Sequence, residues 1–409
     1  MENQHPERHK AYKTSSYRLI VLMGMVSLFG DITYEGARSI TGPFLAVLGG
    51  SAAVVGVVSG LGDFIGYALR LASGYIADRT RAYWPLTFAG YACIFAIPLL
   101  ALAGNWQLAA VLIILERLGK AVRTPARDTI LSHAAKGVGR GWGFGLHELF
   151  DQIGAVLGPL IFTTVFIFRG NYREGFGILW IPAVFTILFL IRAAVKMPTP
   201  EKLEIAGSPV QGKNNAVLNE KEVKKLPRLF WLYALFTFFS VAGLIHFQLI
   251  AYHLKVRRLA PDVLIPVLYI IEMAVDGAAA LIMGKSYDTV GLRFLVIAPV
   301  LSLPVAWLSL SGGFGLAVAG ISFLGVVIGI HETIMRAAIA DLTATANRGV
   351  AYGIFNTIYG LAYLAGGTAM GILYDKASVS AVVVFSALME IAGVSAFVLT
   401  GFSKMKITH

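Results

Sequence analysis

Charge is what this sequence has least of. Of 409 residues only 14% are Asp, Glu, Lys or Arg, while 57% are hydrophobic and the mean hydropathy is +0.72. A soluble globular domain carries about 25% charged residues, so most of this chain faces lipid or other helices rather than water. Cysteine is nearly absent. The single Cys93 permits no intramolecular disulfide and no Cys-rich metal centre, and reads as a small core residue. Also missing are a phosphate-binding glycine loop, a His-Glu-x-x-His run and a Ser/His/Asp signature. Their absence argues against coupled ATP hydrolysis and against an intramembrane enzyme, and no catalytic residue, cofactor or resident metal is expected. The net charge of +11 forms no stripe on a soluble segment, so no nucleic-acid partner is expected either. The first apolar segment is too long for a signal-peptide core and is expected to remain as a span.

What the chain does have is apolar stretches of about 20 residues, the length that crosses a bilayer as a helix. They predict an all-α membrane protein with helices near 18–47, 53–77, 84–104, 107–134, 142–168 and 176–195, then 229–254, 262–285, 294–312, 315–342, 350–373 and 380–402. The expected organisation is a tail (1–17), a six-helix bundle (18–195), a polar linker (196–228), a second bundle (229–402) and a short tail (403–409). Basic residues concentrate on one side: Arg8, Lys10, Lys13, Arg18, Arg79, Arg81, Lys136, Arg140, the linker lysines, Lys285, Arg293, Arg348, Lys404 and Lys406. That asymmetry predicts both termini in the cytoplasm. Trp84, Trp106, Trp142, Trp180 and Trp231 fall near helix ends and read as interface anchors. The halves also echo each other. A shift of 208 residues places Arg140, Gly141, Gly145 and Gly158 on Arg348, Gly349, Gly353 and Gly366, and a shift of 210 places Gly74 and Asp78 on Gly284 and Asp288. Two such six-helix halves form one known transporter architecture.

An ionisable group inside the hydrocarbon region is expensive unless it faces a cavity or a partner, so charges map the interior. Helix 1 carries Asp31, Glu35 and Arg38 on one face; helix 2 carries Asp63 and Arg70; helix 4 carries Glu116, Arg117, Lys120, Arg123, Arg127 and Asp128. Helix 5 carries His147, Glu148 and Asp151, helix 7 His246 and His253, helix 8 Glu272 and Asp276, and helix 10 His331, Glu332 and Arg336. Helices 3 and 9 have no charge in their cores, helix 6 has Arg192 at its inner end and helix 12 has Glu390. Every third helix is therefore expected on the lipid side.

Gly74-Tyr-Ile-Ala-Asp78-Arg79-Thr-Arg81 resembles the inner-loop signature of the major facilitator superfamily. A second copy, Gly284-Lys-Ser-Tyr-Asp288-Thr-Val-Gly291-Leu-Arg293, stands at the matching place in the other half. In the first copy Thr80 replaces a glycine and Arg81 arrives early. Arg117 to Ala121 resembles the helix 4 signature of proton-linked members, with Lys120 in place of the usual Gln. Gly154-Ala-Val-Leu-Gly158-Pro159 resembles the start of the helix 5 antiporter signature, without its trailing glycine pair. Asp31 to Glu35, Glu116 to Asp128 and His147 to Asp151 are similar to a prokaryotic subgroup described as permeases and drug efflux proteins. The resemblance covers residues 18–402 and implies a monomeric carrier in a prokaryotic inner membrane, whose inner loops latch the two halves together.

Bland readings stand beside these. Glu35 and Arg38 read equally as an ion pair tying helix 1 to helix 4, and Asp63 with Arg70 as partners for charges on helices 4 and 5. Arg123 and Arg127 suit an anionic substrate, yet Glu148 and Asp151 on the next helix are expected to neutralise them. Glu272 and Asp276, one turn apart with no intrahelical base, are the strongest coupling candidates, because adjacent acids in a dry site share a proton. The expected function is proton-coupled efflux of a small organic molecule by alternating access. The rivals are proton-linked uptake of an anionic metabolite, export of a divalent metal, and a non-transporting membrane sensor.

Overall fold

The computed structural model describes residues 4–136, 138–168, 170–200, 226–343 and 348–401. Most of the expected linker (201–225) and the whole expected C-terminal tail (403–409) lie outside the described residues, as do the side chains of Asp288, Arg336 and Arg140. Among the described residues there is no strand, and the helices arrange as twelve passes. These are α1 (Gln4–Arg38), α2 (Ala52–Thr80), α3 (Tyr83–Leu102), α4 (Trp106–Ala135), α5 (Arg140–Phe168) and α6 (Tyr172–Lys196). The second six are α7 (Arg228–Val256), α8 (Ile265–Val290), α9 (Gly291–Leu310), α10 (Phe314–Leu342), α11 (Arg348–Lys376) and α12 (Val379–Thr400). Ten of the twelve are long and apolar enough to cross a membrane. The other two, α4 and α11, are as long, but α4 carries six charged side chains and α11 is rich in glycine, tyrosine and threonine.

Two passes depart from the sequence reading. Helix α1 starts at Gln4, so the stretch expected as a tail is largely helical. It then stops at Arg38 and resumes as a separate turn, Thr41–Val47. Pro43 explains the interruption, since it cannot donate to the Ser39 carbonyl and its ring crowds the preceding turn. Helix α7 is likewise divided into Arg228–Ala242 and Phe247–Val256. Gly243 supplies the weak point, and Ser386 of α12 donates to its freed carbonyl at 2.6 Å, so that acceptor is not left bare in the membrane. The breaks follow the internal repeat: Arg38 and His246 are 208 residues apart and both stand at an interruption.

Glycine sets the closest helix approaches. Gly154 and Gly158, one turn apart on α5, lie directly on the α1 backbone. A Cβ on Gly158 would come within 2.5 Å of the Ile32 carbonyl and 2.6 Å of the Gly36 amide. Its repeat partner Gly366 meets the Ala242 backbone of α7 in the same way. Between the halves, Gly56 and Gly60 of α2 face Gly367 and Leu364 of α11, while Gly360 and Gly353 of α11 receive Phe64 and Leu71 of α2. In lipid, where the hydrophobic effect gives helices little reason to associate, such small residues allow the backbone contact that holds them. Large apolar side chains are exposed on α6 (Ile181, Val184, Phe185, Leu188) and α12 (Val384, Leu388, Ile391), as lipid-facing helices require.

A Cβ-branched residue at Gly158 should therefore overpack the α1–α5 seam, at a cost of about 1–3 kcal/mol. Gly158→Val is expected to lower the melting temperature in detergent by several degrees. Gly145→Ala, at a position with nothing within 4 Å of the added methyl, should leave it unchanged.

Candidate functional site

The breaks in α1 and α7 and the glycine seams leave a central cavity of about 220 Å³, lined from both halves. From the first half come Asp31, Tyr34, Glu35, Arg38, Asp63, Tyr67, Arg70, Arg117, Lys120, Glu148 and Asp151. The second half supplies His246, Tyr269, Glu272, Asp276, Glu332 and Tyr363. Eight carboxylates thus face four Lys or Arg side chains. The lining residues Glu148, Gln152 and Glu332 are exposed, so the cavity opens toward the end that carries the α2–α3 and α8–α9 loops.

At the centre is Asp63, 7% exposed. The Arg117 guanidinium lies 3.6 Å from its carboxylate and Arg38 lies 3.9 Å away, as does His246 Nδ1 from the other half. Tyr34 sits between the cations. Its hydroxyl accepts from Arg38 at 3.1 Å and from Arg117, and its ring lies 3.8 Å from the Lys120 ammonium and 4.7 Å from the Arg117 guanidinium. Both contacts are favourable on the ring face. The phenol of Tyr269 donates to Glu35 at 2.5 Å, joining α8 to α1. Glu35 and Arg38 therefore point to different partners, and the ion pair expected between them is not formed.

Other expected site residues lie apart from this cavity. Arg123 is not neutralised by Glu148 and Asp151. It pairs with Glu116, two turns back on its own helix, at 3.4 Å, and packs 4.6 Å over the ring of Tyr91. The i, i+7 spacing puts the two on one face, turned toward α3 instead of α5. His147 shares Ser27 with Arg127 and lies 3.8 Å from Asp151, just behind the lining. His331 is buried near Tyr359 with neither ring nitrogen hydrogen-bonded among the described residues. Among those residues no three His, Cys, Asp or Glu side chains converge on a metal position. The sequence reading passed over Tyr34, Tyr67, Tyr269 and Tyr363. A signal existed for Tyr34, which shares its helix face with Asp31 and Arg38.

At the open end, a Cβ added to Gly74 would stand 3.6 Å from Pro125 of α4 and one added to Gly284 3.7 Å from Thr333 of α10, ordinary contact in both cases. Arg79 donates to the Tyr75 hydroxyl at 3.0 Å, Arg81 ends α2 with φ +54°, and Gly291 ends α8 with φ +68° before Arg293. Asp78 is exposed and has no partner among the described residues. The opposite end is closed by contacts that sequence inspection missed. Asp375, at the last turn of α11, accepts from the Ala52 and Ala53 amides at the start of α2, at 3.0 and 2.7 Å. A carboxylate on helix N-terminal amides is a favourable charge–dipole pair. Beside it Gly42 lies on the Gln248–Tyr252 backbone, and Lys255 pairs with Asp262.

A twelve-pass helical bundle with a polar cavity reached from one end defines a membrane carrier. The model of the major facilitator superfamily matches residues 20–331, and the chain belongs to that family. It is a secondary transporter, not an enzyme. It is 40% identical over 391 residues to an uncharacterised protein of Mycobacterium tuberculosis, covering 94% of this chain and 93% of that one. It is 26% identical over 370 residues to an MFS-type transporter of Methanocaldococcus jannaschii, covering 87% and 88%. The fold matches the crystal structure of the nucleoside transporter NupG with a TM-score of 0.70 at 13% identity, covering 95% of this chain and all of that one.

Two outcomes test this geometry. Breaking a buried pair costs about 3–5 kcal/mol, so Arg123→Ala should lower the ligand-free melting temperature strongly, and adding Glu116→Ala should recover part of the loss. Recovery with Asp151→Ala instead would show that the partner is on α5. Asp375→Ala should weaken the closed end. In a Cys93→Ser background, Gln248→Cys is then expected to react several times faster with a membrane-impermeant thiol reagent, and equal rates would show that Asp375 does not seal.

Proposed function

We propose that the chain is a proton-coupled exporter of a small organic molecule. It exchanges that molecule for protons by rocking one six-helix half (18–195) against the other (229–402) about the cavity. The observation that carries this reading is the surplus of carboxylates: eight acids against four bases on one water-accessible lining. The bases are largely engaged, since Arg38, Arg117 and Lys120 crowd around Asp63 and Tyr34. Asp31, Glu35, Glu148, Asp151, Glu272 and Asp276 remain as proton-carrying candidates. The same engagement weakens the case for uptake of an anionic metabolite, and the lack of convergent metal donors among the described residues weakens the case for metal export. Export is favoured by the likeness of Gly154 to Pro159 to the antiporter signature. In this reading Asp78 and Asp288 belong to a latch that closes the open end in the opposite state. Both termini face the cytoplasm of a prokaryote, and the carrier works as a monomer.

Reconstituted in liposomes, the protein should move substrate against an imposed pH gradient. Asp31→Asn or Glu272→Gln should reduce the dependence on that gradient by about tenfold or more, the effect of losing one coupling group worth 1.4 kcal/mol. Flux that ignores pH and requires sodium would overturn the assignment.

A further inference from the structure

The two walls of the cavity differ in a way that bears on what it holds. On the first-half wall three acids sit among bases: Asp63 has Arg38 and Arg117, and Asp31 and Asp151 lie among Lys120 and Arg127. The second-half wall is different. Glu272 and Asp276 stand one turn apart on α8, with Glu332 of α10 near Asp276. Glu272 is 2% exposed, lines the cavity, and its Oε2 has no hydrogen-bond donor among the described residues. The groups facing the pair from other helices are Glu35, Glu148, Glu332 and Arg38, and Tyr269 lies one turn before Glu272 on α8 itself. The Tyr269 hydroxyl donates its hydrogen bond to Glu35, and Arg38 is bound to Asp63 and Tyr34. Neither supplies the missing donor.

This wall is also built closely. Gly325 and Gly329 of α10 lie on the α8 backbone at these two acids. An added Cβ would come within 2.5 Å of the Glu272 carbonyl and 2.7 Å of the Asp276 carbonyl. The acids are thus fixed by backbone contact, while Tyr67, Tyr269, Tyr363 and Phe247 provide aromatic surface around the same space.

We infer that this wall recognises the cationic head of an organic ammonium compound. The head would sit against Glu272 and Asp276, with aromatic rings on its remaining sides. Fixed carboxylates supply the charge, an unpartnered buried oxygen supplies the acceptor, and aromatic faces attract the alkyl-ammonium surface. A bare metal ion is a poorer fit, because the described residues converge no three donors on one point. The inference rests on the carrier reading and deepens it by naming the substrate class.

The test compares choline with its uncharged carbon isostere, with benzoate and with Mn2+, using purified wild-type protein and reading melting temperature against ligand concentration. Choline is expected to raise the melting temperature saturably, while its isostere and benzoate leave it unchanged. Glu272→Gln should weaken choline binding by about tenfold or more. Glu332→Gln, at an exposed rim position that does not enter the core packing, should weaken it less and guards against misfolding of the buried variant. Stabilisation by benzoate or Mn2+ but not choline would overturn the inference, as would equal binding of the isostere or no effect of either substitution. No shift with choline would overturn it too. Proton-driven flux persisting without choline binding removes only this inference. Choline binding without any flux removes the carrier reading and leaves the site.

Discussion

Asp63 is the group on which the rest of the interior depends. A carboxylate near the middle of a membrane-spanning helix is costly unless cations and donors surround it. Here Arg38 and Arg117 arrive from α1 and α4, and His246 arrives from the other half. Those cations in turn need more than one acid, and the hydroxyl and ring of Tyr34 supply the remainder without adding a second buried charge. The cluster therefore fixes four helices around one point and crosses the boundary between the halves. Removing the carboxylate would leave two guanidinium groups competing for one tyrosine.

The glycine seams perform a complementary task. Charged clusters hold helices at chosen points, but they do not bring backbones together along their length. Gly154 and Gly158 do so for α1 and α5, Gly366 for α7 and α11, and Gly56, Gly60, Gly353 and Gly360 for α2 and α11. The first two seams lie within a half and the third lies between halves. In the third, glycines from both helices lie against the partner's backbone, and Gly353 receives the Leu71 side chain. A seam of that kind suits two bodies that must change their relative tilt.

Much of this was legible in the sequence, and the reasons are specific. The twelve passes could be read because length and hydropathy fix them. Most charged lining residues could be read because a membrane leaves ionisable groups few other places to go. The repeat could be seen in part because Gly158 and Gly366 occupy matching close contacts where a side chain would meet backbone. Three things could not be read. Partner choice on α4 was misjudged, since Arg123 can turn to Glu116 on its own helix as readily as to α5, and spacing alone does not say which neighbour lies nearer. Of the cavity tyrosines only Tyr34 had a signal, its place on the face of Asp31 and Arg38; Tyr67, Tyr269 and Tyr363 had no comparable row of charges to mark them as lining. Asp375 was missed because its partners are backbone amides, which every residue possesses.

The interruptions in α1 and α7 have a mechanical consequence. An unbroken helix transmits bending along its whole length, so moving one end drags the other. Here the Thr41–Val47 and Phe247–Val256 segments are joined to their longer stems by short junctions, 39–40 and 243–246, where the regular intrahelical ladder is interrupted. Tilting them disrupts little additional backbone structure. The outer stubs touch each other at Gly42 and Gln248, while the stems carry Arg38 and the charge cluster. The two stubs are coupled unequally to the charged interior: Thr41–Val47 holds none of its members, whereas His246, the residue that caps Phe247–Val256, lies 3.9 Å from Asp63 and carries any tilt of that stub into the cluster.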